Sequence, residues 1–238
     1  MGSTKRVSGE QRSALEQAAN PEHEGFLSQR ATELFRTLLG VGIDGAGKFD
    51  SAQAVARDAL ARTGGDVEKA IGVVVNSHLR FAGGSGFVTS LGGFITMPVS
   101  LPINVAGFYV IATRMTASIA ALRGYDVTDP RIRSAILLSL VGSDADDLLA
   151  KAGVAVPGGR LATAAMDQLP GAVLMVVNKA VAFRLLATTG KKTLSKLGRG
   201  VPFAGGLIGG GLDAWLMTRI ATHARAEFPL AAPAIEPR

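Results

Sequence analysis

Apolar residues recur at helical spacing along most of the chain, and no stretch between turn signals sustains the alternation of a half-buried strand. A short helix is expected over 11–19, ended at Asn20 and Pro21, and a longer one over 24–39 carries Phe26, Leu27, Leu34, Leu38 and Leu39. Glycines at 40–47 predict a loop. Asp50 is the expected cap of a helix over 51–62, which Gly64 and Gly65 stop. Asp66 then opens a helix whose apolar positions are Ile71, Val74, Val75 and Leu79. Ile103 to Leu122 reads as a helix with Val105, Phe108, Met115, Ile119 and Leu122 on one stripe. A turn over 125–130 precedes a helix over 131–141, and Ser143 caps another. A loop over 153–160 leads to a helix over 161–168, and Pro170 opens a strongly apolar helix to about 187. The last helix, Asp213 to Phe228, carries Trp215, Leu216, Ile220 and Ala224.

Two stretches depart from this amphipathic pattern. From Phe81 to Thr113 the chain carries no charge, and it is broken there by Gly83, Gly84, Gly86, Gly92 and Gly93 and by Pro98 and Pro102. A spanning helix needs about 20 apolar residues, but such helices are not punctuated so heavily. The run is better read as a short glycine-rich apolar helix, a turn bounded by Pro98 and Pro102, and then the helix beginning at Ile103. Gly200 to Leu212 is a second, shorter uncharged run, nearly half of it Gly. The expected fold is therefore all-α: a single helical domain with two glycine-rich apolar helical segments. Its expected extent is 20–228, between a disordered or loosely attached lead-in at 1–19 and a disordered, Pro-rich tail at 229–238. The lead-in is polar and has no apolar stretch of the kind a secretory leader carries.

Composition sharpens this picture. Of the 238 residues, 47% are hydrophobic and only 18% charged, against roughly 25% charged in an ordinary soluble domain. The mean hydropathy is +0.29. Small apolar residues and low charge suit close helix packing or contact with lipid. The net charge is +6, yet the basic residues are not interleaved with aromatics, so nucleic acid is not an expected partner. There is no Cys, and the three His are scattered, so neither a disulfide framework nor a zinc site is expected.

Candidate chemistry is sparse. Gly40, Gly42 and Gly45 fit G-x-G-x-x-G, and Gly42 to Lys48 fits the start of a phosphate-binding loop. Phe49 stands where a metal-binding Ser or Thr is required, and no buried strand precedes the glycines, so an interhelix loop is expected there. The Ser85 region fails as a nucleophile elbow because Phe87 replaces its last glycine. Asp144, Asp146 and Asp147 sit at an expected helix start, where carboxylates favour the helix dipole rather than a metal. Lys191, Lys192, Lys196 and Arg199 form a basic cluster directly before the second uncharged run. Such side chains can lay their stems along apolar surface and reach anionic headgroups, each worth about 1 kcal/mol, or form only a solvated loop before a helix; both readings stay open.

Three stretches resemble the EcsC family of bacterial helical proteins. They are Gly86 to Pro102, with its Gly92-Gly93 pair and the later Pro98 and Pro102; Gly124 to Pro130, followed by an Arg-containing helix; and Pro202 to Gly211, followed by Asp213. Asn178-Lys179 also fits, and the similarity runs in consistent order over about 42–226. The resemblance implies a helical, membrane-associated protein and carries over no catalytic residues, the family being named for a protein encoded beside an ABC transporter; no cofactor is expected. The expectation is thus a non-enzymatic, peripheral membrane or lipid-binding protein on the cytoplasmic face, supporting a transporter or secretion process. Phe87, Leu91, Phe94, Ile95 and Met97 would meet acyl chains or an apolar ligand, and Lys191, Lys192, Lys196 and Arg199 anionic lipid. The alternative is a soluble helical scaffold binding a protein partner, such as a membrane transporter component. A nucleotide enzyme using the 40–48 loop is the third reading.

Overall fold

The computed structural model describes residues 33–83, 103–141 and 205–231, together with Asn178, Ala180, Val181 and Leu185. These described residues are mostly helical, and the only β-type pairing among them is an isolated bridge between Ala46 and Phe49. The all-α expectation holds. Five α-helices are described: α1 (Ala52–Arg62), α2 (Val67–Gly83), α3 (Ile103–Leu122), α4 (Pro130–Leu140) and α5 (Gly205–Glu227). A π-helical turn, Leu38–Ile43, continues a helix at 33–37.

Local chemistry accounts for most of the boundaries. Ser51, not Asp50, caps α1: its extended backbone lets Oγ accept from the Ala54 N–H at 3.2 Å. α1 ends at Gly64 and Gly65, both at positive φ, where the Gly65 N–H reaches back to the Leu60 carbonyl. Asp66 caps α2 as expected, its Oδ1 accepting from the Lys69 N–H at 3.0 Å. Gly124, at φ +91, closes α3, with the Tyr125 N–H bonded to the Ala120 carbonyl. Asp129 caps α4 and Pro130 supplies its first turn.

The 40–47 region is less loop-like than its glycines suggest. The helix runs on through Gly40 and Gly42 to Ile43 in a widened turn, with Val41, Gly42 and Ile43 buried in succession. A Cβ on Gly42 would come within 2.9 Å of the Thr113 side chain on α3. Gly42 is therefore a packing device, and the chain becomes a loop only at 44–51. The last helix likewise starts earlier than its charges suggest: α5 begins at Gly205, about two turns before Asp213, and takes in much of the second uncharged run.

α3 is the hub, packing on the π turn and on α1, α2, α4 and α5. From Tyr109 to Ala120 every residue except Arg114 is buried. The single apolar stripe expected for it is therefore too narrow, since a helix enclosed on all sides is apolar all round. α1 presents Ala52, Ala56 and Ala59 to the core, and this small face brings the Ala52 carbonyl to Ser118 Oγ at 3.1 Å. On α2 the buried residues are Ala70, Ile71, Val74 and His78, with Val75 and Leu79 packed beside them.

Contacts at the helix ends set the directions. Arg123, just past α3, pairs with Glu68 at the start of α2 at 2.7 Å, so these helices run antiparallel. Tyr125 stacks edge-on against Phe228, just past α5, at 5.3 Å, and the Ala231 N–H bonds to the Arg123 carbonyl. α5 thus runs parallel to α3 and antiparallel to α2. The end bearing Glu68, Arg123 and Phe228 is termed basal. Gly83, Ile103 and Gly205 then lie toward the opposite, apical end.

Candidate functional site

Phe87, Leu91, Phe94, Ile95, Met97, Lys191, Lys192, Lys196 and Arg199 lie outside the described residues. So do Ser85, the Asp144–Asp147 group, the lead-in and nearly all of the tail. The described helices nevertheless frame the two uncharged runs, because the chain leaves α2 at Gly83, re-enters α3 at Ile103 and enters α5 at Gly205, all apically.

Charge is distributed unevenly along this axis. Ascending α2, the last charged residue is Arg80; descending α3, the first is Arg114; entering α5, the first is Asp213. At about 1.5 Å rise per residue, all three helices lose their charges roughly 13–22 Å above the basal contacts. The apical parts of α2, α3 and α5 are wholly uncharged. No described helix is long and apolar enough to cross a membrane.

Two large aromatics near this level are exposed: Phe81 on α2 at 48% and Trp215 on α5 at 52%. Sequence reading places Phe81 merely at the start of an uncharged run and Trp215 among the apolar positions of the last helix. Among the described side chains of α5 the buried apolar ones are Met217, Ile220, Ala221 and Ala224, a stripe that leaves Trp215 outside. The Arg219 guanidinium lies over the Trp215 ring, 5.1 Å from its centroid. The i,i+4 spacing of Trp215 and Arg219 is the sequence signal for this pair.

Below the apical region sits a polar cluster that the sequence does not flag. Arg114 emerges from the middle of α3 beneath the Phe49 ring, at 5.3 Å. Its Nε is buried and has no hydrogen-bond partner among the described residues. Burial lowers its pKa, and the nearby Asp50 opposes that shift. His78 faces it from α2. The His78 Nδ1 is 2.8 Å from the Val74 carbonyl, which can only accept, so Nδ1 carries the proton of the neutral ring. Burial pushes the His78 pKa down to about 4, against the pull of the Val74 bond, and Arg114 adds to the depression. This arrangement keeps one charge, not two, at the α2–α3 contact. Ser77 Oγ lies 3.3 Å from His78 Nδ1 but donates to the Val74 carbonyl at 2.8 Å, and no three His, Asp or Glu converge on a metal-sized site among the described residues.

The glycine motif at 40–48 has no phosphate cradle. Gly42 is pressed against Thr113, and a Cβ on Gly45 would meet the Phe49 carbonyl at 2.5 Å. Both glycines serve backbone close approach, with Lys48 exposed on the loop beyond. Asp44 instead makes a two-pronged ion pair with Arg133, whose Nη1 lies 3.1 Å from Asp44 Oδ2, tying the π turn to α4. Asn178, one of the positions that resemble the EcsC family, donates through Nδ2 to Ser134 Oγ on α4 at 2.8 Å, a structural tie. Comparison of the chain with protein-family models, with curated proteins and with solved structures finds no match.

Proposed function

We propose that this chain is a non-enzymatic, EcsC-like protein that binds the cytoplasmic face of a membrane peripherally, its apical end toward lipid. The observation that carries this reading is the loss of charge from α2, α3 and α5 at one shared end. The connection between α2 and α3, 84–102, is itself uncharged, and Lys191, Lys192, Lys196 and Arg199 lie shortly before α5 in the sequence. An uncharged end whose helix α5 follows a basic stretch in the sequence matches an anionic leaflet, where acyl chains take apolar surface and headgroups the cations. The residues proposed to meet acyl chains are Phe87, Leu91, Phe94, Ile95 and Met97. Support of a transporter or of secretion belongs to the same proposal. Flotation of the full chain with vesicles of neutral or mixed anionic lipid is the test. Salt-sensitive flotation with the anionic vesicles is expected, and absence of flotation on either kind rejects the reading.

A second reading, a helical scaffold for a protein partner, is favoured by one observation. The last part of the first uncharged run, from Gly107 to Thr113, is protein core with only Phe108 partly exposed, so that stretch is accounted for by packing alone. A chain that stays monodisperse without detergent and ignores vesicles would favour the scaffold.

A further inference from the structure

The exposed aromatics stand at matching heights. The stretch of α2 from Glu68 up to Phe81 is as long as the stretch from Phe228 up to Trp215 on the antiparallel neighbour α5. Each ring is therefore roughly 20 Å from the basal end at helical rise. Arg80 directly precedes Phe81, and Arg219 lies one turn basal to Trp215 with its guanidinium against the ring. Both arginines are exposed. Apical to this level the three helices are uncharged except for Asp213; basal to it, charges of both signs appear.

We propose that Trp215 and Phe81, backed by Arg219 and Arg80, form a collar that seats the bundle on an anionic bilayer at headgroup depth. This rests on the membrane reading above and adds to it a depth and an orientation. The indole is amphipathic and settles where hydrocarbon meets headgroups, with its N–H toward water. Arginines just basal to the rings reach lipid phosphates, which they can engage through two parallel N–H donors. The uncharged part of α5, 205–212, is about 12 Å long, less than half the thickness of a hydrocarbon core, and Asp213 stays with Trp215 at headgroup depth, so the bundle enters one leaflet and stops. The α2–α5 pair then stands steeply to the membrane, and its basal end, with Glu68, Arg123 and the C-terminal segment, points into water.

Trp215 is the single tryptophan, so intrinsic fluorescence reports on this position alone. The full chain is titrated with anionic vesicles, some carrying lipids brominated near the headgroup end of the acyl chain, while flotation measures binding separately. Expected are flotation, a blue shift, and strong quenching by the shallow bromines. Trp215→Ser should weaken vesicle partitioning roughly tenfold, the equivalent of about 1.4 kcal/mol, with unchanged helicity. Arg219→Gln should weaken it less, and mainly at low salt. Flotation with unmoved, unquenched Trp215 emission overturns the collar and leaves the membrane reading standing. Absence of flotation overturns both. A shift that follows protein concentration without vesicles, with sedimentation as a dimer, assigns the patch to a second copy and overturns the collar.

Discussion

The basal and apical ends of the same three helices are built from different chemistry. At the basal end each helix boundary has a named device: the Gly64–Gly65 stop, the Asp66 cap, Gly124 at positive φ, the Arg123–Glu68 pair and the Tyr125–Phe228 stack. These devices satisfy backbone groups at helix ends or tie one helix end to another. Toward the apical end the charges of all three helices run out, and Phe81 and Trp215 stand exposed near the level where they do. One end is finished with caps and an ion pair, while near the other two large aromatics are exposed. The difference teaches that low overall charge can reflect segregation along one axis rather than a uniformly apolar protein.

The comparison can be broken or sharpened by mutation and pH. The largest effect is expected in the core the two ends share: Ile119→Ala on α3, fully buried, should cost about 2–5 kcal/mol of unfolding free energy by denaturant titration. Next is pH. The folded-state pKa of His78 lies below its ordinary value, so the folded form resists protonation. Its contribution is complete above about pH 6.5 and is lost as pH falls from 6.5 through about 4, because the unfolded chain takes up the proton first. The full loss is on the order of 3 kcal/mol, read as the difference between the wild-type and His78→Leu stability–pH curves. The carboxylates Asp66 and Asp126, each held below the ordinary range by hydrogen bonds, act only at lower pH.

A smaller loss is expected at the basal end from Gly124→Ala, about 1–2 kcal/mol, because the left-handed backbone there disfavours a side chain. A thermal melt measures it, and no loss would remove Gly124 from the devices that finish this end. The smallest stability effect is expected from Trp215→Ser, within about 0.5 kcal/mol, as for most exposed positions. The two ends would then separate cleanly: the basal variant melts earlier yet still floats with vesicles, whereas the apical variant melts normally and floats poorly.

Much of the helical layout is legible in the residues themselves. The limits of α3, the Gly64–Gly65 stop, the Asp66 cap and the 125–130 turn all follow from residue types within a few positions of one another. The misreadings have equally local causes. Asp50 and Ser51 are both good caps, and only backbone geometry selects the one whose oxygen faces the Ala54 N–H. Gly40 and Gly42 look like a loop because glycine is a poor helix former, but the close approach of Thr113 accounts for Gly42. The proposed lipid-facing residues at 87–97 and 191–199 rest on charge and apolarity alone, and they lie outside the described residues. Phe81, Trp215 and Arg114 escape a sequence reading because an exposed aromatic and a half-buried arginine are ordinary residues until their neighbours are known.

The chain by itself determined that this protein is helical, where most of its described helices stop, and that two long stretches carry no charge. Tertiary structure alone decided that α3 is buried from Tyr109 to Ala120 apart from Arg114 and that α2, α3 and α5 lose their charges at the same end. It also decided that Trp215 faces outward with Arg219 against it. Caps and periodicity act over one or two turns and are written in neighbouring residues. Helix direction and exposure depend on partners such as Glu68 and Arg123, far apart in the chain, which only packing brings together.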